Sequence, residues 1–272
     1  MKDTKTYDIV VNKMREYFRG LGFLEVPVQS RLSILAACED PQTVASFGYE
    51  GSIWPLPQTG QMWLEYELLK NPTCPGYYCI STSYREEKNP IPGRHDKIFP
   101  MFEFEAKGTI NDLRNLEHGL LEHMELPLPK IVNYESACER FNIDLLEAKH
   151  ETALWNELGD SVSLEYFPRR TDPFWNMKRS EEKKDLYHKI DVLLYGMETI
   201  GSAERATNVN QMREDFYTIS DGEYAQLLFK QFGRQRVVQE LEEYFSLPMI
   251  PRFGGGIGLT RMGRAYNFAH DK

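Results

Sequence analysis

The stretch from Tyr77 to Gly108, YYCISTSYREEKNPIPGRHDKIFPMFEFEAKG, holds the densest set of side chains able to do chemistry. Tyr77–Tyr84 is rich in β-branched and aromatic residues, and Phe99–Ala106 alternates bulky with acidic ones. Lys88–Lys97 between them contains two prolines and a glycine. That pattern predicts a hairpin of strand, polar loop and strand. Side chains two apart on a strand share a face, so Arg85 points with Glu87, and Phe99 with Met101, Glu103 and Glu105. One face then offers a guanidinium, several carboxylates and an aromatic ring beneath a loop carrying Arg94, His95 and Lys97. Charge at this density is costly to bury unless it meets ligands or partners. A solvated sheet face with surface ion pairs is the alternative these residues leave open.

A second pair of acids lies further on. Ile190–Ile200 predicts another hairpin, and with Tyr195-Gly196 as its turn Leu193 falls opposite Glu198. Asp191 shares Leu193's face, so Asp191 and Glu198 converge. Like charges a few ångströms apart need a cation or protons between them. Hard oxygen donors without sulfur or imidazole suit Mg²⁺; a surface hairpin with two solvated acids is the other reading. Near the C-terminus, FGGGIGLTRMGRAY reads as a glycine-rich turn (Gly254, Gly255, Gly256, Gly258) that lets the backbone approach a ligand. The helix expected after it carries Arg261 in its first turns. The spacing is not GxGxxG and no βαβ unit surrounds it, which excludes a dinucleotide fold.

The elements that must position these groups follow from periodicity. Helices are expected over Asp8–Leu21, the MWLEYELLK segment, Asn111–Glu125, Tyr134–Phe141, and Asp215–Phe245 with breaks at Gly222 and Gly233. A short edge strand is expected at Phe23–Val28, a strand at Thr171–Lys178 and a turn at Glu39-Asp40-Pro41. EAKHETALWNELGD reads as a polar surface segment, and His118 and His123, five apart, as solvent histidines. The net charge of -9 gives no electrostatic support for phosphate-backbone binding. Cys38, Cys74, Cys79 and Cys138 show no CxxC spacing and read as reduced thiols of a cytoplasmic protein. No run of 18 apolar residues and no signal-peptide core is present. The length of 272 residues is read as one domain, 1–272.

In their order and spacing these groups resemble the signature motifs of class II aminoacyl-tRNA synthetases, over nearly the whole chain and nearest the aspartyl/asparaginyl branch. Phe18–Val28, with Pro27, resembles motif 1, Arg85-Glu86-Glu87 through Glu105 motif 2, and Gly254–Arg261 motif 3. Phe174-Trp-Asn-Met-Lys is similar to the branch's FYMK strand. The resemblance implies an α+β fold, an antiparallel sheet flanked by helices, and a homodimer through the Phe18–Val28 region. It further implies that Arg85 contacts the α-phosphate of ATP, Glu87 reads the adenine amino group, His95 lies over the phosphates and Phe99 stacks on adenine. Arg261, beside Gly258, would hold the γ-phosphate, and Asp191 and Glu198 would hold Mg²⁺. Gln61 would line the amino-acid pocket, Glu103 accept the substrate's α-ammonium, and Arg205, seven residues past Glu198, bind its side chain.

Departures from the pattern narrow the reading. Aspartate-activating members carry a lysine three residues after the pocket glutamine, where this chain has Leu64 as asparaginyl members do. A neutral carboxamide therefore looks better placed than a carboxylate. Met101 stands where aspartyl members have glutamine, and Arg252 where a histidine is usual. The chain begins at the motif 1 helix, so the anticodon-binding barrel of the branch is expected to be missing. With the acidic charge, this predicts an AMP-forming ligase that passes an activated asparagine- or aspartate-like amino acid to ammonia, an amine or a protein. Ammonia-dependent asparagine synthetase has a similar GGGIG-x-x-R stretch. A minimal asparaginyl-type tRNA ligase and a non-catalytic amino-acid or nucleotide sensor are the other readings.

Overall fold

A computed structural model describes residues 3–28, 32–34, 42–183 and 185–270. The turn expected at Glu39–Pro41, and Cys38, lie outside the described residues. In chain order the elements are α1 (Thr4–Gly20), β1 (Leu24–Glu25), β2 (Ser46–Tyr49), β3 (Ser52–Pro55), α2 (Gln61–Lys70), β4 (Gly76–Tyr84) and β5 (Ile98–Lys107). They continue with α3 (Ile110–His123), β6 (Lys130–Asn133), α4 (Tyr134–Phe141), α5 (Ala148–Leu158), β7 (Ser161–Pro168), β8 (Leu186–Leu194) and β9 (Met197–Glu204). Last come α6 (Val209–Thr218), α7 (Glu223–Phe232), α8 (Arg234–Phe245), β10 (Arg252–Gly258) and α9 (Leu259–His270). Eight strands form one sheet in the order β1-β4-β5-β10-β9-β8-β7-β6. Its inner pairs are antiparallel; β1 joins β4 and β6 joins β7 in parallel at the two edges.

The sheet has one apolar face and one polar face, and the alternation of β5 makes this legible. Phe102 and Phe104 point into a core shared with Val10, Met14 and Phe18 of α1, Leu113 and Leu120 of α3, and Met262 of α9. Phe18 is the hub: its ring lies 4.9–5.9 Å from those of Phe23, Tyr78, Phe102 and Phe104. Such pairs contribute about 0.5–1.5 kcal/mol each beyond area burial. Capping fixes where the covering helices begin. The Asp3 side chain accepts from the Lys5 and Thr6 amides at the start of α1, and Thr109 with Asp112 forms a capping box on α3. A second apolar cluster packs α2 against α6–α8 around Trp175, on the polar side of the sheet.

Four expectations need correcting. The glycine-rich segment is a central strand, β10, paired with both β5 and β9, because glycines in extended backbone can complete a ladder on both sides. The helix after it starts at Leu259 and carries Arg261 in its first turn, as expected. Residues 172–178 make turns and a single bridge, Met177 to Arg205, rather than a strand. The polar segment after Glu147 is helical (α5), and β7 follows it. His118 and His123 are half-buried, with the His123 ring 5.6 Å from that of Tyr17. Among the described residues, no helix is long and apolar enough to cross a membrane.

Candidate active site

Register lines up the polar face in rows. One row runs Cys79, Glu103, Gly256, Gly201, Asp191 and Leu164 across β4, β5, β10, β9, β8 and β7. The next runs Tyr77, Glu105, Gly254, Ala203 and Lys189. Acids and a cation thus flank a floor of glycine and alanine. Above it lies a cavity of about 170 Å³ lined by Gln61, Arg85, Phe174, Met177, Lys189, Asp191, Glu198, Gly201, Ser202, Ala203 and Arg205.

The β8–β9 hairpin turns at Tyr195 and Gly196, both with positive φ (50° and 74°), and Leu193 does face Glu198. A bulge beyond Val192 takes up one residue and leaves Glu198 and Asp191 on one face. Both overhang the same glycine: a Cβ placed on Gly201 would lie 3.0 Å from Glu198 Oε1 and 3.5 Å from Asp191 Oδ1. Asp191 Oδ1 is buried and makes no hydrogen bond among the described residues, while Oδ2 accepts from Lys189 Nζ at 2.7 Å. Burial pushes the Asp191 carboxyl up to about 7; Lys189 opposes the shift and Glu198 adds to it. An orphaned carboxylate oxygen facing a second carboxylate fits a hard divalent cation, with Asp191 and Glu198 as the holders. Among the described residues, no cluster of three or more His, Cys, Asp or Glu offers a metal a fuller protein cage.

Arg85 follows β4 directly, its amide donating to the Lys97 carbonyl (2.8 Å) at the mouth of the hairpin. Its guanidinium lies 5.4 Å from the Phe99 ring centroid, and Nε is buried without a hydrogen-bond partner among the described residues. In the loop, His95 Nδ1 and Glu87 Oε2 are 2.9 Å apart. Arg261, from α9, donates to the Glu198 carbonyl (2.6 Å) and lies 3.9 Å from its carboxylate. The structure therefore brings Arg85, Asp191, Glu198, Gln61 and Arg205 to one cavity. Arg261, with Gly258 behind it, meets that cavity only through Glu198. Glu87 and His95 belong to the adjoining hairpin loop, and Phe99 to the start of β5 beside it.

Two predicted pocket residues are more deeply held than their expected roles suggest. Glu103 is fully buried beside the glycine floor, accepting from the Gly60 amide (2.8 Å) and the Thr59 and Ser81 hydroxyls; burial pushes its carboxyl up. It does not line the cavity. Arg205, only 1% exposed, donates Nη2 to Gln61 Oε1 (2.6 Å) and pairs with Glu105. Behind it Glu65 takes Arg252 Nη2 (2.8 Å), the Tyr244 hydroxyl (2.6 Å) and Asn176 Nδ2 (2.7 Å). Glu105 and Glu65 thus each have a buried guanidinium, the condition under which such charges are tolerated. Burial still pushes Glu105 up to about 8; Arg205 opposes this and the nearby Glu65 adds to it.

Sequence reasoning missed Glu151 and Lys189. Glu151, on α5, pairs with Arg94 of the hairpin loop and accepts from the Glu198 amide at 3.1 Å. Arg261 donates to the Arg94 carbonyl at 3.4 Å, so α5, the loop, β9 and α9 meet there. Burial pushes the Glu151 carboxyl up, and Glu198 adds to the shift. Nothing in an acidic, polar segment distinguishes Glu151 from its neighbours before the fold is known. A larger open groove of about 690 Å³ beside α6 and α7 lacks any comparable set of convergent charges.

The family model for tRNA synthetases class II (D, K and N) matches residues 3–265. Among solved structures, asparaginyl-tRNA synthetase from Pyrococcus horikoshii complexed with asparaginyl-adenylate is similar at 19% identity with a TM-score of 0.79, covering 98% of this chain and 65% of that one. Entamoeba histolytica asparaginyl-tRNA synthetase in complex with asparaginyl-adenylate follows at 18% and 0.77, covering 96% and 63%. A putative aspartyl-tRNA synthetase from Leishmania major is similar at 13% and 0.76, covering 96% and 61%. The chain thus spans somewhat less than two thirds of these proteins' lengths, and the likeness is one of fold. No curated protein matches the chain.

Proposed function

The chain belongs to the class II tRNA synthetases (D, K and N), and from that premise we propose that it activates a small polar amino acid of the asparagine or aspartate type with ATP. The amino acid's carboxylate attacks the α-phosphorus in line, forming an aminoacyl-adenylate and releasing pyrophosphate. The carrying observation is the convergence of Arg85, Asp191 and Glu198 on one cavity floored by glycine. A carboxylate nucleophile is already ionised, so no general base is needed and catalysis is positioning plus electrostatics.

Arg85 meets the α-phosphate, its unpaired buried Nε being a donor that an anion would satisfy. Arg261 and His95 meet the outer phosphates. Phe99 and Glu87 hold the adenine by stacking and by accepting from its amino group. Asp191 and Glu198 hold Mg²⁺, which when bound offsets phosphate charge. Gln61 and Arg205 border the amino acid, and Glu103 sets the floor beneath its ammonium. The protein acts as a homodimer through the Phe18–Val28 region.

The net charge of -9 supports an acceptor other than tRNA, whose binding draws on clustered Lys and Arg. Ammonia, a small amine or a protein side chain then takes the activated acyl group, as in an AMP-forming ligase. A minimal tRNA ligase is the alternative, and AMP release with ammonia, amines or tRNA added tells the two apart. Activation itself is tested by pyrophosphate exchange over a panel of amino acids. Arg85→Ala is expected to lower exchange by about 10²–10³-fold; unchanged exchange removes Arg85 from the mechanism.

A further inference from the structure

The proposed function leaves one charged wall of the cavity unused. Lys189 lines it, and the register row that ends in Lys189 places Ala203 directly opposite, with Gly254 and Glu105 beyond. Arg205 lies two residues past Ala203 along the same chain, flanking it on the same face. Diagonal neighbours on adjacent strands are about 7–8 Å apart, within reach of two long side chains. Lys189 and Arg205 therefore both line one small cavity, with Phe174 and Met177 beside them. A small floor between two cations fits a compact anion better than a neutral amide.

The other charges of the pocket sharpen this. Arg205 commits Nε and Nη2 to Glu105 and Gln61, so much of its charge is matched before any ligand arrives. Leu64, at the place where aspartate-activating relatives were expected to carry a lysine, is fully buried with Leu68, Tyr77 and Cys79 in an apolar cluster. No charge can come from there. Lys189 is instead supplied from β8, its ammonium 2.7 Å from Asp191 and 4.1 Å from the Phe167 ring centroid. Asp191 is also needed by the phosphate chemistry, and an anion beside Lys189 keeps the ammonium matched when Asp191 is so engaged.

We propose that Lys189 is a specificity-determining residue: its ammonium, in the cavity it lines with Arg205, receives the anionic end of the substrate's side chain. The amino acid taken is then an acidic one, aspartate, glutamate or a near relative, rather than its carboxamide. This rests on the reading of the cavity as an amino-acid pocket. The test is equilibrium binding of aspartate, glutamate, asparagine and glutamine by calorimetry, with a non-hydrolysable ATP analogue and Mg²⁺ present. One acid is expected to bind about 10- to 100-fold more tightly than its amide, the worth of one charge-assisted hydrogen bond. Lys189→Met should remove that preference while leaving the amide within about threefold, and Lys189→Arg should keep it. Equal binding of acid and amide, an unchanged ratio in Lys189→Met, or no binding by any of the four overturns the proposal. Pyrophosphate exchange with the same four separates the failures. Exchange with amides alone sinks the role of Lys189 and leaves activation standing, whereas no exchange with any amino acid sinks activation itself.

Discussion

Glu117 shows how far burial can move one group. It lies inside the helix face of the sheet, its Oε1 accepting from Ser202 Oγ at 2.6 Å. Burial pushes its carboxyl from 4.5 up to about 8, the Ser202 hydrogen bond opposing and Glu165 and Asp191 adding. Between those two values the folded chain keeps a proton that the unfolded chain has released. Its contribution to stability therefore falls as pH rises through that window, by up to about 1.4 kcal/mol per pH unit. Glu117→Gln keeps the shape without the titration. Its melting temperature is expected to gain on that of the unsubstituted protein from pH 5 to pH 8, and a difference flat in pH would show that Glu117 stays ionised. Glu151 makes the matching case beside the hairpin loop, on the side where the nucleotide is proposed to lie. Replacing it by Gln weakens the hold on Arg94 and the Glu198 amide, which should raise the KM for ATP about tenfold while amino-acid binding changes little. Equal effects on both substrates would make Glu151 a general structural support instead.

At the scale of elements, β10 decides what the polar face can contain. Gly254 faces Glu105, and a Cβ there would overlap the Glu105 carboxylate; on Gly256 it would lie 2.7 Å from Met101 Cε and 3.1 Å from Gln61 Nε2. The glycines make room for neighbouring side chains as much as for a ligand. Gly254→Ala must displace Glu105 from Arg205, breaking a buried pair, and is expected to cost about 3–5 kcal/mol. Urea denaturation measures it, and a loss below about 1 kcal/mol would mean Glu105 can move aside freely. The sequence made the β4–β5 and β8–β9 hairpins legible because bulky residues alternate with acids and a Tyr-Gly turn is explicit. It hid β10, since a run of glycines signals a turn as readily as a strand without side chains. It hid β7 too, where Ser163 and Glu165 occupy buried positions that alternation reserves for apolar residues. Glu165 is tolerated there chiefly through Arg114 of α3, at 2.6 Å, a partner 51 residues away that no local pattern reveals.

For the whole molecule, the two faces of one sheet divide the work: α1, α3 and α9 bury the apolar side, and the polar side carries the site. That division was readable from the period-2 alternation of β5. The pairing of Glu65 with Arg252 and of Glu105 with Arg205 was not, because it depends on which strands become neighbours. The edge of the sheet raises the remaining question. β1 is a two-residue edge strand; its Leu24 and the nearby Leu21 are exposed at 54% and 43%, while Phe18 and Phe23 turn inward to the core. An exposed edge with apolar side chains invites a partner, and under two-fold symmetry each substitution acts twice. Leu24→Asp removes about 1.5–3 kcal/mol of burial from each copy, enough to weaken a dimer more than a hundredfold. Light scattering across the micromolar range should then find twice the chain mass for the unsubstituted protein and the single chain mass for Leu24→Asp. The melting temperature extrapolated to low concentration should stay the same, because Leu24 contributes nothing to the core of its own chain. A dimer that survives the substitution would move the interface away from β1, and a monomer before it would remove the interface altogether.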